Sequence, residues 1–327
     1  MTAKLSICIP TYNRAALLGE LLESVAREAS SQDVEIAISD NASTDDTRLV
    51  VEAFARRWPS LVYWRQPQNE GPDRNYLRCV EISTAPYCWL MGSDDCIAPG
   101  AVADVLASIG TGTHDLILGT RLNCTFEMQP IAVEPWLDSV DQRHFDFLSD
   151  TDFMAYHSQA LSLGAVFSYL SSIVVKRDRW DAFPMAQRYI GSAYSHAYLL
   201  LLVAQSSGIF YSPKPFVLNR TGNDHFAKDG EARRILIDLD GYLMLADDLY
   251  AARPERREAF LGLLRRAHRP LRTIAALRSR LEGEAWRAAA RTLRRCGYPA
   301  ALVAGMWPLH GVLGLALRAK HARRARG

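Results

Sequence analysis

The sequence lacks the signatures of two common classes of phosphate-binding enzyme. Its 327 residues contain neither the glycine fingerprint G-x-G-x-x-G of dinucleotide-binding proteins nor the loop G-x-x-x-x-G-K-[ST] of P-loop enzymes. The turn after the first apolar segment, residues 10–14, has no glycine, so a pyrophosphate cannot approach the following helix in the dinucleotide manner. These absences exclude a Rossmann dehydrogenase and a P-loop enzyme.

The cysteines do not have the spacing of a zinc site, and we expect no secretory leader. The six cysteines are scattered along the chain, and three of them lie in or beside predicted buried strands. We therefore expect free thiols in a reducing compartment, the cytoplasm. The apolar segment at residues 5–9 is too short for a signal peptide and is followed at once by Pro10 and Asn13.

Charge is divided unevenly along the chain. The net charge is +2, but residues 251–327 hold 18 Lys and Arg against 4 Asp and Glu, or +14. Residues 1–250 hold 20 against 32, or −12. With 49% hydrophobic and 23% charged residues, the composition predicts one sizeable domain and a basic appendage that has its own partner.

Buried strands alternate with amphipathic helices in the first ninety residues. Strands are predicted at residues 5–9, where Pro10 is expected to end the strand, and at 34–39, 61–64 and 87–90. Helices are predicted around residues 17–25, after the capping residues 43–46, and at 73–82. This alternation predicts an α/β fold with a parallel, doubly wound sheet.

Two adjacent carboxylates, Asp94 and Asp95, directly follow the strand predicted at residues 87–90. The carboxyl end of a strand in an open α/β sheet lies at the edge that binds ligands. Two acids there suit a hard divalent cation, which in turn suits a diphosphate. The alternative is a turn with two solvated acids that cap the helix starting near Pro99.

Four segments resemble the nucleotide-binding half of family 2 glycosyltransferases, which have the GT-A fold. They are SICIPTYNR at residues 6–14, SDNASTDDT at 39–47, NEGPDRN at 69–75 and GSDD at 92–95. Residues 69–75 and 87–95 are most similar to the abequosyltransferase-like branch, which acts in bacterial surface-polysaccharide assembly. The resemblance is specific over about the first hundred residues, weaker to about residue 230 and absent beyond.

The resemblance implies a metal-dependent, inverting sugar transferase. The donor would be a CDP-, UDP- or dTDP-sugar, with a deoxyhexose suggested by the branch. The acceptor would be a hydroxyl of a surface glycan or a lipid-linked oligosaccharide. Two other classes remain open: a nucleotide-sugar-binding module with impaired catalysis, and a membrane-associated assembly adaptor.

The resemblance also implies a set of donor-binding residues. Asp40 would accept a hydrogen bond from the base, because a wrong base leaves a buried acceptor unpaired; a helix cap is the alternative. Gly71 permits close backbone approach, and Asn75 either contacts the ligand or bonds the backbone near the Asp94 turn. The donor-binding set is Pro10, Thr11, Arg14, Asp40, Asn69, Gly71, Arg74, Asn75, Asp94 and Arg220.

The metal would be Mg²⁺ or Mn²⁺, because oxygen ligands and a diphosphate favour hard ions. In the resemblance Asp95 is the direct ligand, whereas Asp94 lies near the ribose or reaches the metal through water. Arg220 and His225 follow strands predicted at residues 208–211 and 215–218. Arg220 would pair with phosphate, and His225 is a candidate metal ligand or phosphate donor. An ordinary polar surface loop is the alternative.

The catalytic base is a departure from the family. Members usually carry Glu-Asp at the start of a helix that follows a strand, here predicted at residues 171–175. This chain has Ser195 and His196 at that position. Histidine suits a general base because its ordinary pKa lies near neutrality. The alternatives are a packed histidine and the nearby acid Asp181.

Residues 1–230 are expected to form the GT-A domain, with 1–100 binding nucleotide and 101–230 binding acceptor. Residues 231–327 are expected to be helical and basic. This region can contact an anionic membrane face, span a bilayer, pack within a homo-oligomer or on the acidic body, or bind nucleic acid. Pro308 and His310 oppose a span, and sparse aromatics oppose nucleic acid. We favour peripheral association with the inner face of the cell membrane.

Overall fold

The computed structural model describes residues 3–223 and 230–305. The chain divides into two compact units, residues 1–223 and 224–327. His225 and the tail residues Trp307, Pro308 and His310 lie outside the described residues.

The described part of the first unit contains one ten-stranded mixed sheet. Its strands are β1 Leu5–Thr11, β2 Val34–Asp40, β3 Leu61–Arg65, β4 Tyr87–Leu90, β5 Cys96–Ile97, β6 Leu116–Cys124, β7 Pro130–Glu134, β8 Arg143–Phe145, β9 Ile173–Lys176 and β10 Ile209–Arg220. The main path runs β3-β2-β1-β4-β9-β6-β10-β5, while β7 pairs with β6 and β8 with β10. The α/β fold class is confirmed.

The two halves of the sheet differ in strand direction. β1 is parallel to β2 and β4, and β2 is parallel to β3. β9 runs antiparallel to both β4 and β6, so the sheet is parallel in the predicted nucleotide half and mixed in the other half. Antiparallel pairing lets β9 present its first residues at the edge where β4 ends.

Two predicted strand boundaries are wrong. β1 continues through Pro10 to Thr11, which lies opposite Asp40; proline is compatible with extended backbone near a strand end. The strands predicted at 208–211 and 215–218 are one strand, β10, whose pairing with β6 shifts register around Pro215. Because proline cannot donate to a ladder, it produces an irregularity rather than an end.

Helices cover the sheet and form the second unit. Those of the first unit are α1 Ala15–Glu28, α2 Thr47–Ala55, α3 Pro72–Ile82, α4 Ala101–Gly110, α5 Asp150–Gln159, α6 Arg177–Asp181 and α7 Ser195–Ser207. Those of the second are α8 Glu231–Tyr250, α9 Pro254–Ala267, α10 Pro270–Arg278, α11 Gly283–Arg295 and α12 Ala300–Gly305. The expected helical C-terminal region is therefore present.

The core of the first unit follows from these patterns. α1 buries Leu18, Leu21, Leu22 and Val25, which share one helix face, against the strands. In the same core cluster, Trp89 of β4 meets the Phe216 ring with centroids 5.7 Å apart. Gly119 of β6 is required here, because a Cβ at this position would overlap the Phe216 ring.

All six cysteines are free and buried. Within residues 3–223 and 230–305, no helix is long and apolar enough to cross a bilayer.

Candidate active site

The carboxyl ends of β1, β2 and β4 meet at one edge of the sheet, because these strands are parallel and adjacent. This edge carries Thr11 and Asp40, which lie opposite each other, and the turn of Asp94 and Asp95 after β4. β10 ends at the same edge with Arg220, whose backbone N–H donates to Asp95 Oδ1 over 3.1 Å. The fold thus gathers residues from four strands.

Asp95 is held inward by three donors. Its Oδ2 accepts from Tyr169 Oη (2.7 Å) and Ser171 Oγ (2.5 Å), and its Oδ1 accepts the Arg220 N–H. The residue is 4% exposed. Burial, followed by the charge of Asp94, raises the pKa of Asp95 to about 6. A cation beside this carboxyl would favour its charged form.

Asp94 faces outward from the same turn. Its Oδ2 forms an ion pair with Arg14 over 2.6 Å and accepts from Asn223 Nδ2 over 2.7 Å. The side chain is 21% exposed, so it is the more accessible of the two acids. A Cβ at Gly92 would lie 3.1 Å from Asp94 Oδ1 and 3.3 Å from Asp95 Oδ2, so glycine keeps room around both carboxylates.

Arg220 supports the turn from behind. Its side chain is 2% exposed and forms an ion pair with Glu20 over 2.6 Å. Its Nε donates to the Asp94 carbonyl over 2.9 Å, and its Nη1 donates to the Phe126 carbonyl. The guanidinium is therefore bonded to three groups of the protein, so it acts as a positioning group for Asp94.

Asp40 is completely buried at the end of β2. Its Oδ1 accepts the Ser43 N–H (2.8 Å), and its Oδ2 accepts the Tyr63 hydroxyl (2.7 Å). Burial and this hydrogen bond to Asp40 raise the pKa of Tyr63 above its ordinary value. The Ser43 contact closes the turn after β2; the N-cap of the following helix is Asp46, so Asp40 does not cap it as the alternative expected.

The loop before α3 is tied to this edge by amides. Asn69 Oδ1 accepts from Asn41 Nδ2 over 2.8 Å and from the N–H of Gly71, whose φ is +85°. Asn75 is buried, accepts from Ser39 Oγ and donates to the Thr11 carbonyl over 3.2 Å. Asn75 therefore joins the ends of β1 and β2, whereas its structural alternative placed the contact at the Asp94 turn.

Other predicted donor residues remain accessible to a ligand. Arg74 is exposed on α3 and Pro10 is half-buried. The Thr11 hydroxyl is buried and has no partner among the described residues. A buried hydroxyl without a partner is costly, and a bound ligand can satisfy it.

His196 lies at the start of α7, 5% exposed. Its Nε2 is 2.8 Å from the Phe167 carbonyl, and a carbonyl only accepts, so Nε2 carries the proton and Nδ1 the lone pair. Nδ1 is buried and has no hydrogen-bond partner in the described part of the chain. Burial lowers the pKa of His196 from its ordinary value, which favours this neutral form.

Asp73 and Tyr76 on α3 face the start of α7 and were missed by the sequence reasoning. Asp73 Oδ2 accepts the N–H groups of Gly191 (2.6 Å) and Ala193 (3.3 Å), just before α7. The Tyr76 ring meets the His196 ring edge-on at 6.1 Å. Burial, then Asp73 and Asp94, raises the pKa of Tyr76 to about 12. Tyr76 thus contacts His196 and is within electrostatic reach of both acids.

Comparison with known proteins decides the family. The model described as "Glycosyl transferase family 2" matches residues 6–161. Abequosyltransferase RfbV of Salmonella typhimurium is 39% identical over 279 residues, 84% of this chain and 83% of the relative. The chain belongs to glycosyltransferase family 2. The resemblance to abequosyltransferases is also confirmed, and this glycosyltransferase is an enzyme of the transferase class.

Other relatives of the glycosyltransferase match shorter stretches or share only the fold. A Campylobacter jejuni protein, GalNAc(5)-diNAcBac-PP-undecaprenol beta-1,3-glucosyltransferase, is 28% identical over 38% of this chain and 40% of its own length. S. aureus TarS 1-349 in complex with UDP-GlcNAc has a TM-score of 0.63 at 15% identity, covering 91% of this chain and 82% of that fragment. Mannosyltransferase PcManGT from Pyrobaculum calidifontis, in complex with GDP-Man and Mn²⁺, has a TM-score of 0.53 at 18% identity, covering 100% and 81%. These likenesses confirm the GT-A fold.

Asp181 of the glycosyltransferase does not join the site. It ends α6, which follows β9, and Lys176 of β9 lies opposite Tyr87 at the amino end of β4. Asp181 is therefore near the sheet edge opposite to Asp95. Its side chain is 55% exposed and pairs with Arg177. The antiparallel direction of β9, which the sequence does not reveal, accounts for this placement.

A divalent cation fits the Asp94–Asp95 turn only if a ligand completes its coordination. Among residues 3–223 and 230–305, no group of three or more His, Cys, Asp and Glu side chains could hold a metal. Mg²⁺ is commonly bound by one or two carboxylates together with substrate phosphates. Asp95 Oδ1 accepts a hydrogen bond from the Arg220 N–H, and an ionised carboxylate oxygen has two lone pairs, so this oxygen retains capacity for a cation.

Proposed function

We propose that this glycosyltransferase moves a sugar, a deoxyhexose in our hypothesis, from a CDP-, UDP- or dTDP-sugar to an acceptor hydroxyl. The acceptor is a bacterial surface glycan or a lipid-linked oligosaccharide, and the transfer is metal-dependent and inverting. The similarity to an abequosyltransferase over most of both chains supports the substrate class. The observation that carries the proposal is the pair of carboxylates held at the carboxyl edge of the parallel strands.

The donor occupies the edge formed by β1, β2 and β4. Thr11, Asp40 and Arg74 contact the nucleoside in this proposal, because β1 and β2 end at this edge and the loop before α3 is tied to it. Binding of a base requires Asp40 to exchange the Tyr63 hydroxyl for a donor on the base. That exchange keeps the buried acceptor satisfied, so a base without such a donor is rejected.

The carboxylates of Asp95 and Asp94 would hold Mg²⁺ or Mn²⁺, with the remaining ligands supplied by the donor diphosphate. When bound, the cation offsets the charge that builds on the departing nucleoside diphosphate. Tyr169 and Ser171 keep the Asp95 carboxylate in place before the donor arrives. Arg14 pairs with Asp94 without the donor and can turn to a phosphate oxygen, which is a comparable charged partner.

The acceptor hydroxyl lies at the start of α7 in this proposal. Three buried polar atoms there, Asp73 Oδ1, Ser195 Oγ and His196 Nδ1, have no partner within the described residues. The hydroxyl donates to His196 Nδ1 and transfers its proton there as its oxygen attacks the anomeric carbon. Because Nδ1 is buried, only an acceptor that enters between α3 and α7 reaches it.

The basic second unit places the enzyme on the inner, cytoplasmic face of the membrane in our proposal. Residues 231–327 then serve association with the membrane or with a second copy of the chain, and residues 1–230 perform catalysis. A lipid-linked acceptor would be presented at that surface. Nucleic acid is not expected as a partner.

The experiment is donor turnover with a panel of CDP-, UDP-, dTDP- and GDP-sugars, with and without Mn²⁺. We expect Mn²⁺-dependent release of one nucleoside diphosphate, and the same nucleotide should raise the melting temperature only when Mn²⁺ is present. Stabilisation by the nucleotide without turnover of any donor, even with acceptor glycans, would instead favour a binding module. No response to any nucleotide would overturn the proposal.

A further inference from the structure

A cavity of about 330 Å³ lies within the second unit, between α10, α11 and α12. Four arginines line it: Arg278 at the end of α10, and Arg287, Arg291 and Arg294 on α11. Among the residues that the structure describes, no acidic side chain contributes to the lining. The cavity belongs to neither the donor nor the acceptor site described above.

The three α11 arginines share one helix face because they are spaced by four and three residues. All three are exposed, and none forms an ion pair among residues 230–305. Other arginines of this unit do have acidic partners: Arg257 and Arg295 both pair with Asp247. Like charges at this spacing repel each other, so an anionic ligand would stabilise this arrangement.

The floor of the cavity is apolar. Trp286 is 7% exposed, and the Arg278 guanidinium lies over its ring at 4.1 Å. Val303 of α12 is 2% exposed and also lines the cavity. The covered Trp286 ring is not open for stacking on a base, which nucleic-acid binding generally uses. Guanidinium groups above an apolar floor suit a phosphate that carries a hydrocarbon chain.

The sequence beyond the cavity supports an amphiphilic ligand. Residues 299–317 contain no Asp, Glu, Lys or Arg, and five basic residues follow between 318 and 326. α12 begins this uncharged stretch and borders the cavity. Binding to an anionic bilayer increases with apolar area and with basic charge, and this part of the sequence supplies both.

We propose that this arginine cavity binds the phosphate headgroup of an anionic phospholipid. The inference rests on the proposed membrane location and is independent of the donor site. Arg287, Arg291 and Arg294 contact the phosphate, while Trp286 and Val303 border the start of the acyl region. A specific site of this kind requires these three arginines, whereas general attraction between a basic protein surface and an anionic membrane depends only on the total charge.

The test is binding of the full-length protein to phosphatidylcholine vesicles with and without phosphatidylglycerol. The variant is R287Q/R291Q/R294Q, which keeps good helix formers at exposed positions. The matched control is R253Q/R269Q/R272Q, which removes the same charge from exposed positions of the second unit outside the cavity. Circular dichroism and melting temperature confirm folding, and a triple Arg→Lys variant at the cavity positions preserves the charge.

We expect the cavity variant to lose about 100-fold in affinity for the anionic vesicles, because each basic residue near a surface contributes about fivefold. The control should lose markedly less, and the lysine variant should retain most binding. Equal losses in the cavity and control variants would overturn a specific site. Vesicle binding is also measured in competition with short single-stranded DNA and with inorganic phosphate. If either competitor displaces the protein as effectively as unlabelled anionic vesicles do, the phospholipid assignment is overturned. Donor turnover measured in the same variants separates failure here from failure of the proposed function.

Discussion

Two polar regions of the first unit differ in how their buried groups are bonded. In the Asp94–Asp95 turn the carboxylates accept from Tyr169, Ser171 and the Arg220 backbone, and Arg14 pairs with Asp94. At the start of α7, Asp73 Oδ1, Ser195 Oγ and His196 Nδ1 lack partners in the described chain. The turn is therefore organised before a ligand arrives, whereas the α7 region holds bonding capacity that a ligand can use.

Burial acts on the two regions in opposite directions on the pKa scale but favours the neutral form in both. It raises the pKa of Asp95 to about 6 and lowers the pKa of His196 from 6.5. A cation reverses the effect on Asp95, while a neutral histidine is the form that accepts a proton. The preorganised carboxylates of the turn are suited to hold a cation beside the leaving diphosphate. The lone pair of His196 Nδ1 is suited to accept the proton of the attacking hydroxyl.

The largest expected effect comes from the turn. Asp95→Asn removes the charge proposed to hold the cation, and Mn²⁺-dependent turnover should fall about 1,000-fold, comparable to the loss of a strong electrostatic contact. Steady-state kinetics with saturating Mn²⁺ measures it. Asp104→Asn is the control. It alters the exposed ion pair between Asp104 of α4 and Lys214 of β10, and it should change turnover by less than about twofold. Full metal-dependent turnover in the Asp95 variant would remove this residue from the site.

The next effect tests the α7 region. His196→Ala should lower kcat about 100-fold while donor affinity is preserved, because a general base contributes to the transition state and not to donor binding. Since the pKa of His196 is lowered, wild-type activity should be level above pH 6.5 and should fall at lower pH as the base becomes protonated. The pH profile of kcat at saturating Mn²⁺ and donor checks this, because a bound cation keeps Asp95 charged, whereas kcat/KM would also report the raised pKa of Asp95.

His196→Gln separates basicity from support. The glutamine amide can still donate to the Phe167 carbonyl but cannot take a proton at neutral pH. Activity restored by Gln relative to Ala would show that His196 positions the Phe167 turn, whose φ is +68°, rather than acting as a base. Equal losses in both variants, with the acidic fall of the pH profile abolished, would support the base.

Much of the parallel half could be predicted from the sequence, because β2 is buried along its whole length and reads as a continuous strand. The residues that support Asp95 could not. Tyr169 and Ser171 are 74 and 76 residues away along the chain, and they reach Asp95 because β9 runs antiparallel beside β4. Arg220 and Glu20 pair across 200 residues. Local periodicity carries no information on such pairings.

The role of Asp73 could not be predicted from the sequence for a different reason. As the second residue of α3 it reads as an ordinary acid in the first turn of a helix, which the helix dipole favours. Its contact with the N–H groups of Gly191 and Ala193 depends on how α3 meets α7. His196 was found from its position relative to the family pattern, but its tautomer follows only from the Phe167 carbonyl.

A smaller effect tests the support of the turn. Tyr169→Phe removes one donor to Asp95, and this hydrogen bond lowers the pKa of Asp95. The pKa should therefore rise further, so less of the carboxylate is charged at pH 7 and Mn²⁺ affinity should fall about tenfold, as for other groups that orient metal ligands. The deficit should shrink as pH increases. Titration calorimetry with Mn²⁺ and nucleotide at pH 6, 7 and 8 measures it.

Tyr87→Phe is the matched control for Tyr169→Phe. Its hydroxyl donates to the His114 carbonyl over 3.1 Å, near the amino end of β4, so the same atom is removed at the opposite end of the strand. Mn²⁺ affinity should not change. A loss of affinity that does not depend on pH, or that the Tyr87 variant shares, would contradict the proposed support of Asp95.

The smallest effect addresses the contrast between the two regions most directly. Ser195→Ala deletes a hydroxyl without a partner in the described residues, so the free energy of unfolding should change by no more than about 0.5 kcal/mol. Ser171→Ala breaks hydrogen bonds to Asp95 and Gly92, so it should lower the free energy of unfolding by about 1–3 kcal/mol. Ser195→Ala should nevertheless raise the acceptor KM severalfold with the donor KM unchanged, because a hydroxyl left unbonded by the protein is available to the acceptor. Urea unfolding and acceptor-dependent kinetics give both numbers. A Ser195 variant that is as destabilised as the Ser171 variant would mean that its hydroxyl is already bonded in the folded protein, and the distinction between an organised turn and an open α7 region would no longer hold.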